Sequence, residues 1–131
     1  MQRFKLKITL GDNLMQITIN DKQKNLGEEA VLKAKERATA TLSKFGFNVI
    51  SVELTVLDVN GPRGGIDKQC RVIVKLRKMD DVAASIKEET FSKAIFRAIN
   101  RAERAVSRKI QRRSLREPGR RSEFGFEFYH N

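Results

Sequence analysis

The sequence predicts an α+β fold of order β-α-β-β-β-α: a four-stranded, mainly antiparallel sheet with two helices on one face, and an optional strand ahead of it. Three observations carry this. Apolar residues alternate at period two in several separate stretches and recur at three-to-four spacing in two longer ones, the respective signatures of strands and helices. Three strand stretches are consecutive, which favours antiparallel hairpins. Each helical stretch has one apolar stripe, so a single sheet face can cover both.

Taken in order, Phe4, Leu6, Ile8 and Leu10 form the optional strand, and Met15, Ile17 and Ile19 the next, after Gly11-Asp12-Asn13. Asn25 with Glu28 three residues on has the spacing of a capping box and predicts a helix start. That helix carries Val31, Ala34, Ala38, Leu42 and Phe45 on one stripe, and Gly46 ends it. Residues 48–59 read as the clearest strand, with Ile50, Val52, Leu54 and Val56 inward and Ser51, Glu53 and Thr55 outward. A partner strand over about 68–78 turns Cys70, Val72, Val74 and Leu76 inward and Arg71, Ile73, Lys75 and Arg77 outward. A break at Asp80-Asp81 leads to a weaker strand over about 82–87. The last element is a helix over about 91–115, with Phe91, Ile95, Ile99, Ala102, Val106 and Ile110 on its stripe and Glu117-Pro118-Gly119 stopping it. The expected organisation is an extension over 1–14, an α+β domain over 15–115 and a tail over 116–131.

A chain of 131 residues suffices for one ordinary core. Its single cysteine permits neither an intramolecular disulfide nor a cysteine cluster for zinc. The opening "MQRFKLKITLGDN" has no long apolar h-region, and no stretch approaches the roughly 20 apolar residues that span a bilayer. The expectation is a cytoplasmic protein with no membrane partner. The net charge of +11 points instead to a polyanion, nucleic acid before an anionic membrane surface.

The placement of that charge is more informative. Arg97, Arg101, Arg104, Arg108 and Arg112 step by three and four along the last helix, opposite its apolar stripe. A stabilising solvated face would interleave opposite charges at i and i+4; here successive neighbours are like-charged, each pair costing about 0.2–0.5 kcal/mol. Such a ridge suits phosphate, which the arginine fork grips bidentately. On the first helix Lys33, Arg37 and Lys44 also project away from the stripe, softened by Glu29 and Glu36. With both helices on one sheet face, the two basic sides join into a surface suited to structured RNA. The open sheet face offers Arg71, Lys75 and Arg77, with Lys5 and Lys7, but lacks the paired aromatics on which bases stack.

Enzyme chemistry finds little support. His130, the one histidine, lies next to the last residue, and Cys70 falls on an inward strand position, where a buried inert thiol is the plainer reading than a nucleophile. No phosphate-binding loop, dinucleotide fingerprint or zinc-protease motif is present. The stretch "DVNGPRGGIDKQCR" is read as the connection of a long hairpin: Asn60-Gly61 and Gly64-Gly65 suit positive-φ positions, and no helix follows to complete a phosphate cradle. Arg63 and Lys68 could touch RNA from its tip as secondary contacts. Phe124, Phe126, Phe128 and Tyr129 alternate in the tail, as a free end, an added edge strand or a stacking segment for unpaired bases.

Three segments resemble the ribosome hibernation-promoting factors, the family of ribosome-associated inhibitor A. "MQITIND" is similar to that family's opening strand, "VELTVLDVNGPRGGIDKQCRVIVKL" to its central hairpin and "FSKAIFRAINRAERAVSRKI" to its final helix, together covering about residues 15–113. The resemblance implies a topology like that of a double-stranded-RNA-binding domain and a non-enzymatic role without cofactor, metal or small-molecule substrate. It implies a seat on the small ribosomal subunit between head and body, over the decoding region, where messenger and transfer RNA are excluded. Carried over by position, Lys33, Arg37, Arg97, Arg101, Arg104 and Arg108 would face ribosomal RNA, and Arg112 extends the same ridge. Residues 1–14 precede the family's usual start, and the segment after 115 is shorter than the dimerisation domain of long-form members, which leaves the oligomeric state open. The alternative expectation is an RNA-binding or RNA-chaperone module that acts away from the ribosome.

Overall fold

The structure, a computed structural model, describes the backbone of residues 2–10, 13–59 and 67–116, and the side chains of 15–59 and 67–113. The elements run β1 (Gln2–Leu10), β2 (Asn13–Asp21), α1 (Glu28–Leu42), a 3₁₀ segment (Ser43–Asn48), β3 (Val49–Asp58), β4 (Lys68–Leu76), β5 (Val82–Glu88) and α2 (Phe91–Arg116). The five strands form one sheet in sequence order. β2 and β3 pair in parallel, with α1 as the crossover that such a pair requires, and the other three pairings are antiparallel. The order β-α-β-β-β-α therefore stands, and the optional strand exists as an edge strand whose register sets Phe4, Leu6 and Ile8 opposite Ile19, Ile17 and Met15.

Period two in the strands produces one apolar sheet face. Met15, Ile17 and Ile19 of β2, Val52, Leu54 and Val56 of β3, Cys70, Val72, Val74 and Leu76 of β4, and Val82, Ala84 and Ile86 of β5 are all buried. Against them lie Val31, Ala34, Ala38 and Leu42 of α1 and Ala94, Ile95, Ala98, Ile99, Ala102 and Val106 of α2, in one continuous core. Both helices therefore cover the same face. The opposite face is polar, with Arg71, Lys75, Ser85 and Lys87 exposed. Among the described residues no helix is long and apolar enough to cross a membrane.

Two local expectations are corrected. Val49, not Ile50, is buried at the start of β3, because the register against β4 shifts between Val49 and Ser51. One extra residue at such a bulge reverses which side chain faces inward, and period counting cannot see it. Asn25 does not cap α1, whose N-cap is Gly27 without a side-chain cap. The buried Asp21 at the end of β2 does the corresponding work: its carboxylate oxygens accept from the Asn25 and Leu26 amides at 2.9 and 2.8 Å. A carboxylate already buried by the strand can satisfy loop amides that would otherwise lack partners.

The other boundaries hold closely. α1 gives way at Leu42 to the 3₁₀ segment, in which Gly46 takes φ of 51°, so this glycine does mark the break. Thr90 caps α2, its Oγ1 accepting from the Lys93 amide at 3.2 Å. Arg63 and most of the glycine-rich connection, the Glu117-Pro118-Gly119 stop, the aromatic tail and His130 lie outside the described residues.

Candidate nucleic-acid interface

α2 is pinned to β4 and β5 by its buried stripe, so its opposite side must face solvent. Arg97, Arg101, Arg104, Arg108 and Arg112 are all exposed there. They are not equivalent. Arg97 pairs with Glu88 at the end of β5, whereas Arg101, Arg104, Arg108 and Arg112 form no ion pair among the described residues. The repulsion inferred from their spacing is therefore relieved at one end of the ridge and left standing along the rest.

α1 carries its cations differently. Lys33 lies 3.3 Å from Glu29 one turn earlier, with both side chains well exposed, a geometry of small energetic value. Arg37 crosses to α2: Nη2 donates to Asn100 Oδ1 at 3.2 Å, and the guanidinium carbon sits 4.1 Å from the centre of the Phe96 ring. Its Nε is buried without a hydrogen-bond partner among the described residues. Lys44, just past α1, pairs with Glu103 of α2. These contacts stitch the two helices along their outer seam and join their positive charge into one layer.

Two depressions mark that layer. A cleft of about 560 Å³ opens where both helices begin, floored by Leu26, Ala34, Phe91 and Ile95 and rimmed by Lys33 and Arg37. A shallower one of about 270 Å³ is lined by Lys44, Glu103, Arg104, Ser107 and Arg108. Phe96 borders the first cleft and is 47% exposed. Phe96 and Asn100 were not singled out from the sequence; the available signal was a phenylalanine off the apolar stripe, in a row with Asn100, Glu103 and Ser107.

Lys68 adjoins the floor of the first cleft, its ammonium 5.9 Å from the centre of the Phe91 ring. At the base of the β3–β4 hairpin its ammonium is 2.9 Å from Asp58 and 3.1 Å from the fully buried Asp67. The hydrogen bond to Asp58 holds the lysine above its usual 10.5. Its charge is thus compensated within the chain, while its fellow tip residue Arg63 is not among the described residues. On the open sheet face Arg71, Lys75 and Arg77 are exposed, and Arg77 Nε donates to the Phe47 carbonyl at 3.0 Å. Cys70 is fully buried, and burial pushes its thiol up to about 12, far from the thiolate a nucleophile needs. Among the described residues no three His, Cys, Asp or Glu side chains gather closely enough to hold a metal ion.

The fold and this layer define an α+β domain that presents a cationic double-helix surface on one side of its sheet. No protein-family model matches the chain, and no curated protein matches its sequence.

Proposed function

We propose that the protein is a non-enzymatic inhibitor of translation that lays its helix layer on small-subunit ribosomal RNA at the decoding region. One observation carries the reading: Arg101, Arg104, Arg108 and Arg112 stand exposed on one side of α2 with no carboxylate to answer them among the described residues. Arginines held on a rigid helix and left uncompensated by their own chain fit a partner that brings the negative charge, and phosphate does so with matching geometry. The resemblance of residues 15–113 to hibernation-promoting factors supplies the particular RNA. The mechanism is steric. A domain held by phosphate contacts occupies the channel that messenger and transfer RNA need, and no bond is made or broken.

Purified small subunits incubated with the full chain and run through a sucrose gradient provide the test. The chain travels with the subunits at low salt, and subunits loaded with it fail to retain transfer RNA. A chain that remains at the top of the gradient while binding free RNA in a separate assay would replace this reading with that of a module acting off the ribosome.

A further inference from the structure

We infer that the cleft between the beginnings of α1 and α2 is a seat for a single unstacked nucleobase, with the exposed part of the Phe96 ring, backed by the Arg37 guanidinium packed over it, as its stacking surface and Lys33 at its rim for the attached phosphate. This rests on the RNA-binding reading above and adds a contact that reads a base where the ridge reads only backbone.

Shape, chemistry and position converge on that occupant. At about 560 Å³ the cleft falls within the roughly 300–1,000 Å³ range of small-ligand sites, and its floor of Leu26, Ala34, Phe91 and Ile95 is apolar. Phe96 remains 47% exposed although Arg37 already lies against its ring, so part of an aromatic surface stays open at the edge of the cleft. An aromatic ring held in place by a guanidinium packed over it is a fixed platform of the kind on which splayed RNA bases stack. An apolar ligand alone would leave the cationic rim unanswered. A nucleotide offers an apolar face to the floor and a phosphate to the rim, where Lys33 and Arg37 outnumber Glu29, the one acidic residue lining the cleft, and the exposed Lys33–Glu29 pair is weak enough to open. Phe96 also lies on the same helix as the bare arginines, eight residues or about 12 Å along the axis from Arg104. The cleft opens to one side of the ridge, about 80° round the helix toward α1, where a base splayed from an RNA backbone on the arginines would enter it.

The probe is an RNA hairpin with one bulged 2-aminopurine, compared with the same hairpin carrying an abasic site at the bulge, both titrated with the full chain at fixed salt. The base-bearing RNA binds about tenfold more tightly, the lower part of the range for base–aromatic stacking, and its fluorescence is quenched on binding. Phe96→Leu, which keeps apolar bulk and removes the ring, erases that preference without weakening the abasic complex, and Phe96→Trp restores it. Equal affinity for the two hairpins, with steep salt dependence retained, overturns the base seat and leaves the RNA-binding reading intact. Failure to bind either hairpin or small subunits removes the reading itself, and the seat with it. Self-association of the chain that Phe96→Leu abolishes, with no difference between hairpins, would assign the cleft to a second copy and equally overturn the proposal.

Discussion

On α1, Lys33 is met by Glu29, and Arg37 lies against Phe96 and Asn100 of its neighbour; on α2, Arg101, Arg104, Arg108 and Arg112 face solvent without a counter-charge among the described residues. The helices share a sheet face and a core, so packing alone does not set this difference. Arg37 of α1, with Lys44 just past its end, ties the helix pair together. α2 is anchored by its buried alanines, isoleucines and valine, and is free to present charge outward. Lys68 is the extreme of the first kind, a cation set between two aspartates at the base of a hairpin. Formal charge therefore says little about binding until each cation's own partners are known: an unpartnered one brings its whole charge to another molecule, and a partnered one brings less.

That contrast can be tested at several strengths. Replacing Arg101, Arg104, Arg108 and Arg112 together with alanine should weaken association with small subunits about a hundredfold or more and leave the unfolding midpoint unchanged or slightly raised. Loss of the fold in that variant would mean that the ridge is structural after all.

The pH response should reside in the hairpin and not in the ridge, because arginines do not titrate in the accessible range. Cys70 stays protonated in the fold up to about 12, while in the unfolded chain it ionises near 9.0. Above that lower value the unfolded state binds fewer protons, so stability falls by about 1.4 kcal/mol per pH unit from this group. Lys68, whose folded value is raised, contributes stability that is complete below 10.5 and lost as pH climbs through its folded value. Denaturant titrations between those two thresholds should show the thiol's slope in the wild type and its absence in Cys70→Val. An identical slope in both chains would mean that the thiol is not shielded as described.

Single substitutions draw the comparison more finely. Arg37→Ala should cost the fold about 1 kcal/mol, since it removes both a ring contact and a hydrogen bond between the helices. Arg108→Ala should cost nothing and gain a few tenths of a kcal/mol by relieving like-charge neighbours. Thermal or chemical unfolding of the two variants in parallel measures the difference, and equal destabilisation would erase the distinction between the helices.

Much of this arrangement was legible before any coordinates. The two periods gave every strand, both α-helices and nearly all of the core, because burial on one face imposes them directly; the 3₁₀ segment after α1 they did not give. The ridge was legible for the same reason, since residues opposite a buried stripe have nowhere else to point. What escaped the sequence depended on tertiary detail. A one-residue bulge moved Val49 into the core in place of Ile50. A buried carboxylate at Asp21 served the loop that Asn25 was expected to organise. The pairings of Arg97 with Glu88 and Lys44 with Glu103 join residues on separate elements, which no helical wheel can show. The cleft beside Phe96 needed both helices in place before it existed.

The most direct measurement of the central claim is the salt dependence of binding to purified small subunits, compared between the wild-type chain and the variant lacking the four bare arginines. Each phosphate contact adds about 0.7–0.9 to the slope of log affinity against log salt. A steep line is expected for the wild type and one shallower by about 3 for the variant. Parallel lines, or wild-type binding indifferent to salt, would contradict it.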